Sequence, residues 1–206
     1  MEEANKTSGC PCSGGSCCAP QAARRDPSDP DWVAGRLATP AGQIRQVSTS
    51  LTFKDILGSW KARWGINRTD YQVEPGLYCT GTPGSLSPVL VTANYKMSFD
   101  RLRKELAGLD AWILVLDTKG INVWCAAGKG TFGTNELTGR ILKTGLPELV
   151  SNRAVIVPQL GAPGIAAHEV EKRTGFKVVY VPVSAEYIKT FISAGLKASG
   201  DMRTVK

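Results

Sequence analysis

The chain has a single histidine, no apolar run of ~18 residues, and no block in which Lys or Arg alternates with aromatics beyond Trp60-Lys-Ala-Arg63-Trp64. Each absence excludes something. Without a long apolar run nothing in the sequence reads as a membrane span. The acidic, polar start Met1-Glu-Glu-Ala-Asn-Lys6 lacks the basic head and apolar core of an export signal, so a cytoplasmic setting is expected. The formal charge of +7 is scattered rather than concentrated, which argues against a nucleic-acid interface. Six cysteines without an export signal read as thiols rather than a disulfide framework. There is no internal repeat. What remains, 206 residues with 42% hydrophobic and 21% charged, fits one soluble domain with a full core.

Residues 1–44 carry Ser13-Gly-Gly-Ser16, Asp26-Pro-Ser-Asp-Pro30 and Thr39-Pro-Ala-Gly42, and are expected to form a flexible arm rich in Cys, Gly and Pro. A domain is expected over 45–200. Thr52 and Asp55 are placed for a capping box, and Phe53, Ile56, Leu57, Trp60 and Trp64 follow at helical spacing, which predicts a helix packed on the domain by its apolar face and ended at Gly65. From residue 89 short β-branched runs alternate with amphipathic segments. Strands are predicted at 89–93, 111–117, 154–158 and 177–181, with helices at 99–106 behind Ser98, at 135–142, and at 165–173 closed by Gly175. Continuous apolar strands alternating with helices mean an α/β fold: a Rossmann-like, mostly parallel sheet with helices on both faces. Ligands of such sheets bind outside the carboxyl ends of the strands, where the loops 92–98, 118–132, 159–164 and 182–186 converge.

The loop after the second of these strands reads Lys119-Gly-Ile-Asn-Val-Trp-Cys-Ala-Ala-Gly-Lys-Gly-Thr-Phe-Gly133. Gly128-x-Gly130-x-x-Gly133 matches a dinucleotide fingerprint as a string but comes too late after Asp117, and the Gly-Lys pair lacks the glycine before it and the Ser or Thr after it that a Walker A loop needs. Cys125 is placed at the start of a helical turn, where free backbone N–H groups favour thiolate, with Lys129 four residues on. The small residues Ala126, Ala127 and Gly128 beside it would leave a flat surface for a large planar ligand, with Trp124 turned away into the core. On these grounds alone a buried, inert cysteine remains an equal alternative.

The run Asn122-Val-Trp-Cys-Ala-Ala-Gly-Lys129 resembles the signature of the corrinoid proteins of microbial mercury methylation, the HgcA family, at all eight positions. The resemblance extends through Val89-Leu-Val-Thr-Ala-Asn-Tyr-Lys96, Leu114-Val-Leu-Asp-Thr-Lys-Gly120 and Gly130-Thr-Phe-Gly-Thr134, over roughly residues 50–200. It implies a cobalamin or related corrinoid held base-off, with Cys125 as lower axial ligand of cobalt on a cap helix. It further implies transfer of the cobalt-bound methyl group to Hg(II), a small ferredoxin-type iron–sulfur partner (HgcB) as electron donor, and a methyl-pterin-dependent donor. Chains of that family continue into transmembrane helices, so residues 201–206 would begin a linker and the domain would sit on the cytoplasmic side of the membrane. The same domain also resembles the large subunit of the corrinoid iron–sulfur protein of acetyl-CoA metabolism, which implies the alternative role of a methyl carrier.

The resemblance brings the rest of the rim into the expected cofactor site. Besides Cys125 it takes in Asn122, Val123, Trp124, Ala126, Ala127, Gly128, Lys129, Gly130 and Thr131, then Thr92, Asn94, Tyr95 and Lys96 after the first strand, and Gln159, Leu160, Gly161 and Ala162 after the third. Val183, Ser184 and Ala185 are a weaker case. A corrin edge carries amides and a phosphate tail, which suit polar residues and backbone at such a rim. The Asp-x-His-x-x-Gly ligand motif of other corrinoid proteins is absent, and His168 reads as a solvated helix residue. Cys79 reads as a small buried side chain. Cys10, Cys12, Cys17 and Cys18 form two close pairs that suit linear binding of a soft ion such as Hg(II), or else belong to a dispensable tail.

Overall fold

In the computed structural model, residues 22–23, 26–66, 70–181 and 185–196 are described. Cys10, Cys12, Cys17, Cys18, Val183, Ser184 and the segment 201–206 lie outside them. The chain runs β1 (Ala22–Ala23), β2 (Val33–Thr39), β3 (Gly42–Val47), α1 (Phe53–Arg63), β4 (Gly76–Thr80), β5 (Val89–Ala93), α2 (Lys96–Glu105) and β6 (Ala111–Leu116). It continues through α3 (Val123–Gly128), α4 (Thr134–Lys143), α5 (Leu146–Leu149) and β7 (Ala154–Pro158). A 3-10 turn (Gln159–Gly164), α6 (Ala167–Thr174), β8 (Lys177–Val181) and α7 (Ile188–Ser193) complete it.

One sheet of order β1-β2-β3-β4-β6-β5-β7-β8 forms the frame. The apolar strands β6, β5, β7 and β8 pair in parallel, as their composition requires, and β3 also lies parallel to β4. Side-chain alternation divides the core into two layers. Val89, Val91, Ala93, Leu114, Leu116, Val155 and Val157 face α3, α4, α5 and α6; Leu90, Ile113, Val115 and Ile156 face α2 and α7. This is the expected Rossmann-like α/β architecture with helices on both faces. Because β5 leads first to β6 on one side and the chain then returns to β7 on the other, the order reverses between β5 and β7. A crevice opens at such a reversal beside the strands' carboxyl ends.

The segment expected to be an arm up to residue 44 holds an antiparallel hairpin instead. Thr39 pairs with Gly42, so the Thr39-Pro-Ala-Gly42 cluster is the tight turn between β2 and β3 rather than unstructured chain. Leu37 and Ile44 sit in the core, and Asp29 is buried between Arg36 (2.9 Å) and Arg45 (3.1 Å). The alternation along β2 is only three apolar residues deep, too short to stand out from its Pro- and Gly-rich surroundings. β4 has no stronger signal along the chain: its five residues are bounded by polar loops, yet they pair antiparallel with Ala111 to Val115 of β6.

The helix at α1 forms as its sequence predicts, with Thr52 Oγ1 and the Asp55 carboxylate completing a capping box. Its orientation is the reverse of expectation. Phe53, Ile56, Leu57, Trp60 and Trp64 are 77%, 46%, 43%, 59% and 79% exposed, and α1 contributes no residue to either apolar layer. What faces inward is Ala62 and Asp55. Asp55 belongs to a closed ring of buried charges: Asp55 to Lys96 (2.8 Å), Lys96 to Asp100 (2.5 Å), Asp100 to Arg103 (2.8 Å) and Arg103 back to Asp55 (2.8 Å). Arg103 also donates to the carbonyls of Ser48 and Ser50. Two acids and two bases cancel, and their mutual hydrogen bonds offset the cost of desolvating four ions. The second helix starts earlier than Ser98 predicts, at Lys96, because the ring claims Lys96 as its first residue.

Candidate functional site

The site is built around α3, which carries Cys125. Asn122 precedes the helix in extended conformation, and its Oδ1 accepts the Cys125 N–H at 2.9 Å. Helical periodicity then turns Val123, Ala126 and Ala127 inward and leaves Trp124, Cys125, Gly128, Lys129 and Gly130 exposed. After the helix the chain reverses sharply, with Ala126 O accepting from both Thr131 N (3.0 Å) and Phe132 N (3.1 Å). The thiol is thereby presented to solvent on a short, firmly seated turn.

That seat has no room for a large residue. A side chain at Gly164 would meet Phe132 O at 2.1 Å and Ala127 Cα at 3.2 Å, and one at Gly161 would meet the Phe132 ring at 2.4 Å. The 3-10 turn after β7 therefore packs directly against α3 and the fully buried Phe132. Here Trp124 corrects its expectation. It does not anchor the segment in the core but stands 68% exposed, because the inward positions accommodate nothing larger than Val123 and two alanines. Leu160, on the turn, is also exposed at 43%. Gln159 is exposed, Ala162 is half-buried and Gly161 is buried beneath them.

The loop leading into α3 is held from below. Asn94 Oδ1 accepts from Thr118 N (3.1 Å) and Gly120 N (3.0 Å), while its Nδ2 donates to Gln72 Oε1 (3.2 Å). Asp117 N donates to Glu136 Oε1 (2.9 Å), which Arg140 also grips at 2.6 Å. Burial would raise the Asp117 carboxyl, but Lys119 at 2.5 Å outweighs it and leaves the group below its ordinary value. Thr92, Asn94 and Tyr95 are all buried at 2–5% exposure, so they shape the rim from within. Lys96 is not brought to the rim at all, since its ammonium closes the charge ring. The residues that the sequence reading missed, Gln72, Phe132, Glu136 and Gly164, act through packing and backbone hydrogen bonds. They carry no local signal of a role.

Among the described residues no group of three or more His, Cys, Asp or Glu converges, and no helix is long and apolar enough to cross a membrane. Cys79 behaves as expected of a core residue: it is fully buried, and burial pushes its thiol up to about 12, with the Asp110 charge adding to the effect. His168 is exposed beside Glu169.

Residues 58–192, which run from within α1 into α7 and include all of this site, match the family described as CO dehydrogenase/acetyl-CoA synthase delta subunit. The chain belongs to that family. Within reach of the CO dehydrogenase/acetyl-CoA synthase delta subunit family lie curated relatives named acetyl-CoA decarbonylase/synthase complex subunit gamma. That of Archaeoglobus fulgidus is 33% identical over 127 residues, 61% of this chain and 27% of the relative. The protein of Methanopyrus kandleri is 34% identical over 114 residues, 54% of this chain and 24% of the relative. That of Methanothermobacter thermautotrophicus is 32% identical over 127 residues, again 61% and 27%. The chain thus spans about a quarter of the length of these relatives. The match bears out the resemblance at the level of this family; the narrower likeness to the mercury-methylation proteins rests on the run 122–129.

Proposed function

We propose that the chain is a corrinoid-binding methyl-transfer domain in which Cys125 would be the residue that meets cobalt. The observation that carries the reading is the form of α3: one soft donor, exposed, on a turn whose neighbours are small on one side and an uncovered indole on the other. A metal ion chelated by protein alone wants several converging donors, and the described residues assemble none; a metal already held in a macrocycle needs one. The exposed Trp124 and Leu160 suit the edges of a broad planar ligand. Family membership supports the same cofactor class, since the relatives are subunits of a complex named for acetyl-CoA chemistry.

When bound, the corrinoid would supply a cobalt-held methyl group. Asn122 would hold the cap turn, Cys125 would donate charge through its sulfur, and Ala127, Gly161 and Gly164 would keep the turn at fixed height over the strand ends. On the acceptor, two readings stand. The relatives support a methyl carrier of the acetyl-CoA type. The run Asn122–Lys129 supports Hg(II): the Cys125 sulfur, a soft and strongly donating group, would hold the cofactor in a state suited to giving its methyl group to a soft electrophile. The ferredoxin-type reductant and the methyl-pterin donor belong to this proposal.

Reconstitution with methylcobalamin tests both levels. The visible spectrum of the bound cofactor should differ between the parent and Cys125→Ala; identical spectra would remove the thiol from cobalt. Offered Hg(II), the methyl-loaded parent should form methylmercury and Cys125→Ala should form at least about tenfold less, a loss near 1.4 kcal/mol in barrier. A parent that keeps the spectral difference yet gives no methylmercury would leave the carrier reading in place.

A further inference from the structure

We propose that the outward face of α1 is a docking surface for an anionic lipid bilayer. Phe53, Ile56, Leu57, Trp60 and Trp64 fall at successive helical contacts, and Ile66 is exposed just beyond the helix. Over eleven helical residues the stripe runs about 16 Å. Among the described residues it joins neither apolar layer. The helix is attached by its polar side, through Asp55 in the charge ring, the close seating of Gly58 against the Tyr71 ring, and the Tyr71 hydroxyl donating to Asp55 O at 3.1 Å. An amphipathic helix held by its charges keeps its apolar face outward as a built feature.

The charges beside the stripe decide what covers it. The only acid of α1, Asp55, is buried; Lys54 is exposed but paired with Asp31 at 2.7 Å, so the cationic charge beside the stripe comes from the exposed Lys61 and Arg63. Helices that lie in the bilayer interface have this composition, with Trp and Phe at headgroup depth and long cationic side chains reaching the phosphates. A second copy fits worse, since it would set Lys61 and Arg63 of one chain against those of the other. Phe53, Ile56 and Leu57 precede residue 58, where the family match begins, so half of the stripe lies outside the shared segment. The proposal is independent of the cofactor reading.

Co-sedimentation of the full chain with vesicles of phosphatidylcholine, with and without phosphatidylglycerol, provides the test. The parent should sediment with the anionic vesicles, and roughly tenfold less with neutral vesicles or at high salt. Trp60→Ser with Trp64→Ser should abolish binding, and Lys61→Glu with Arg63→Glu should weaken it about tenfold or more. All of these side chains are exposed, so unfolding midpoints should match the parent; should the tryptophan variant prove unstable, Phe53→Ser and the charge reversals carry the test. Failure of the parent to bind anionic vesicles, or binding indifferent to these substitutions, overturns the proposal. So would a parent dimer that the tryptophan substitutions dissociate while vesicle binding is absent.

Discussion

The helices α1 and α3 are both seated on the molecule by one narrow face, yet by opposite physics. At α1 the seat is electrostatic, a ring of four buried ions closed by Arg103; at α3 it is steric, two alanines and a valine against glycine and the Phe132 ring. The first arrangement frees a whole apolar stripe, the second a thiol beside an indole. Small inward residues bring α3 close to the strand ends, so that its outward side chains project from a fixed height. Charges hold α1 firmly without asking its apolar side to pack. In both, what the helix turns outward is what its function would use.

The contrast breaks most readily at the ring. Arg103→Met leaves Asp55 and Asp100 sharing one cation in a buried setting, and should cost about 3–5 kcal/mol in denaturant unfolding, the price of an uncompensated buried charge. Cobalamin binding at α3 should survive in whatever fraction stays folded. A loss below 1 kcal/mol would mean that α1 is not held by its charges.

The steric seat predicts the complement. Gly164→Val should overpack the contact with Phe132 and Ala127 and cost about 1–3 kcal/mol, with a disproportionate loss of cobalamin affinity measured by titration. Vesicle binding through α1 should be unchanged. If both properties fell together, the two helices would be mechanically coupled.

The smallest effect is invisible at neutral pH. Burial alone would raise the Asp55 carboxyl, but Lys96 and the Thr52 cap outweigh it and bring it down to about 2. A carboxyl whose folded value is depressed adds stability above its unfolded value, near 3.9, and loses it as pH falls toward 2. Tryptophan fluorescence should therefore report loosening of α1 between about pH 4 and 2, before the cobalamin spectrum changes. Coincident transitions would show that the ring and the site unfold as one unit.

Much of the parallel half was legible. Strands β5 to β8 are short, apolar on both faces and separated by amphipathic helices, so their class follows from composition alone. The hairpin β2–β3 was not, because Pro40 and Gly42 look alike in a tight turn and in an unstructured tail. The difference lies in whether Leu37 and Ile44 find a core. Cys125 was legible as a special thiol through its neighbours. The role of Asn94 was not, since an asparagine that caps a strand and one that fastens a distant loop read identically along the chain.

Along the chain alone one could read the apolar strands β5 to β8 with the amphipathic helices between them, and the one cysteine that stands among small residues after β6. Those follow from local propensity and periodicity, which act over a few residues. Which face of α1 looks inward was settled by distant contacts. The stripe of α1 is as apolar as a core helix requires, but Asp55 finds Lys96 and Arg103 forty residues and more away, and the fully paired ring holds the helix by its other side. Periodicity fixes the angle between two faces of a helix; only the partner across the gap chooses between them.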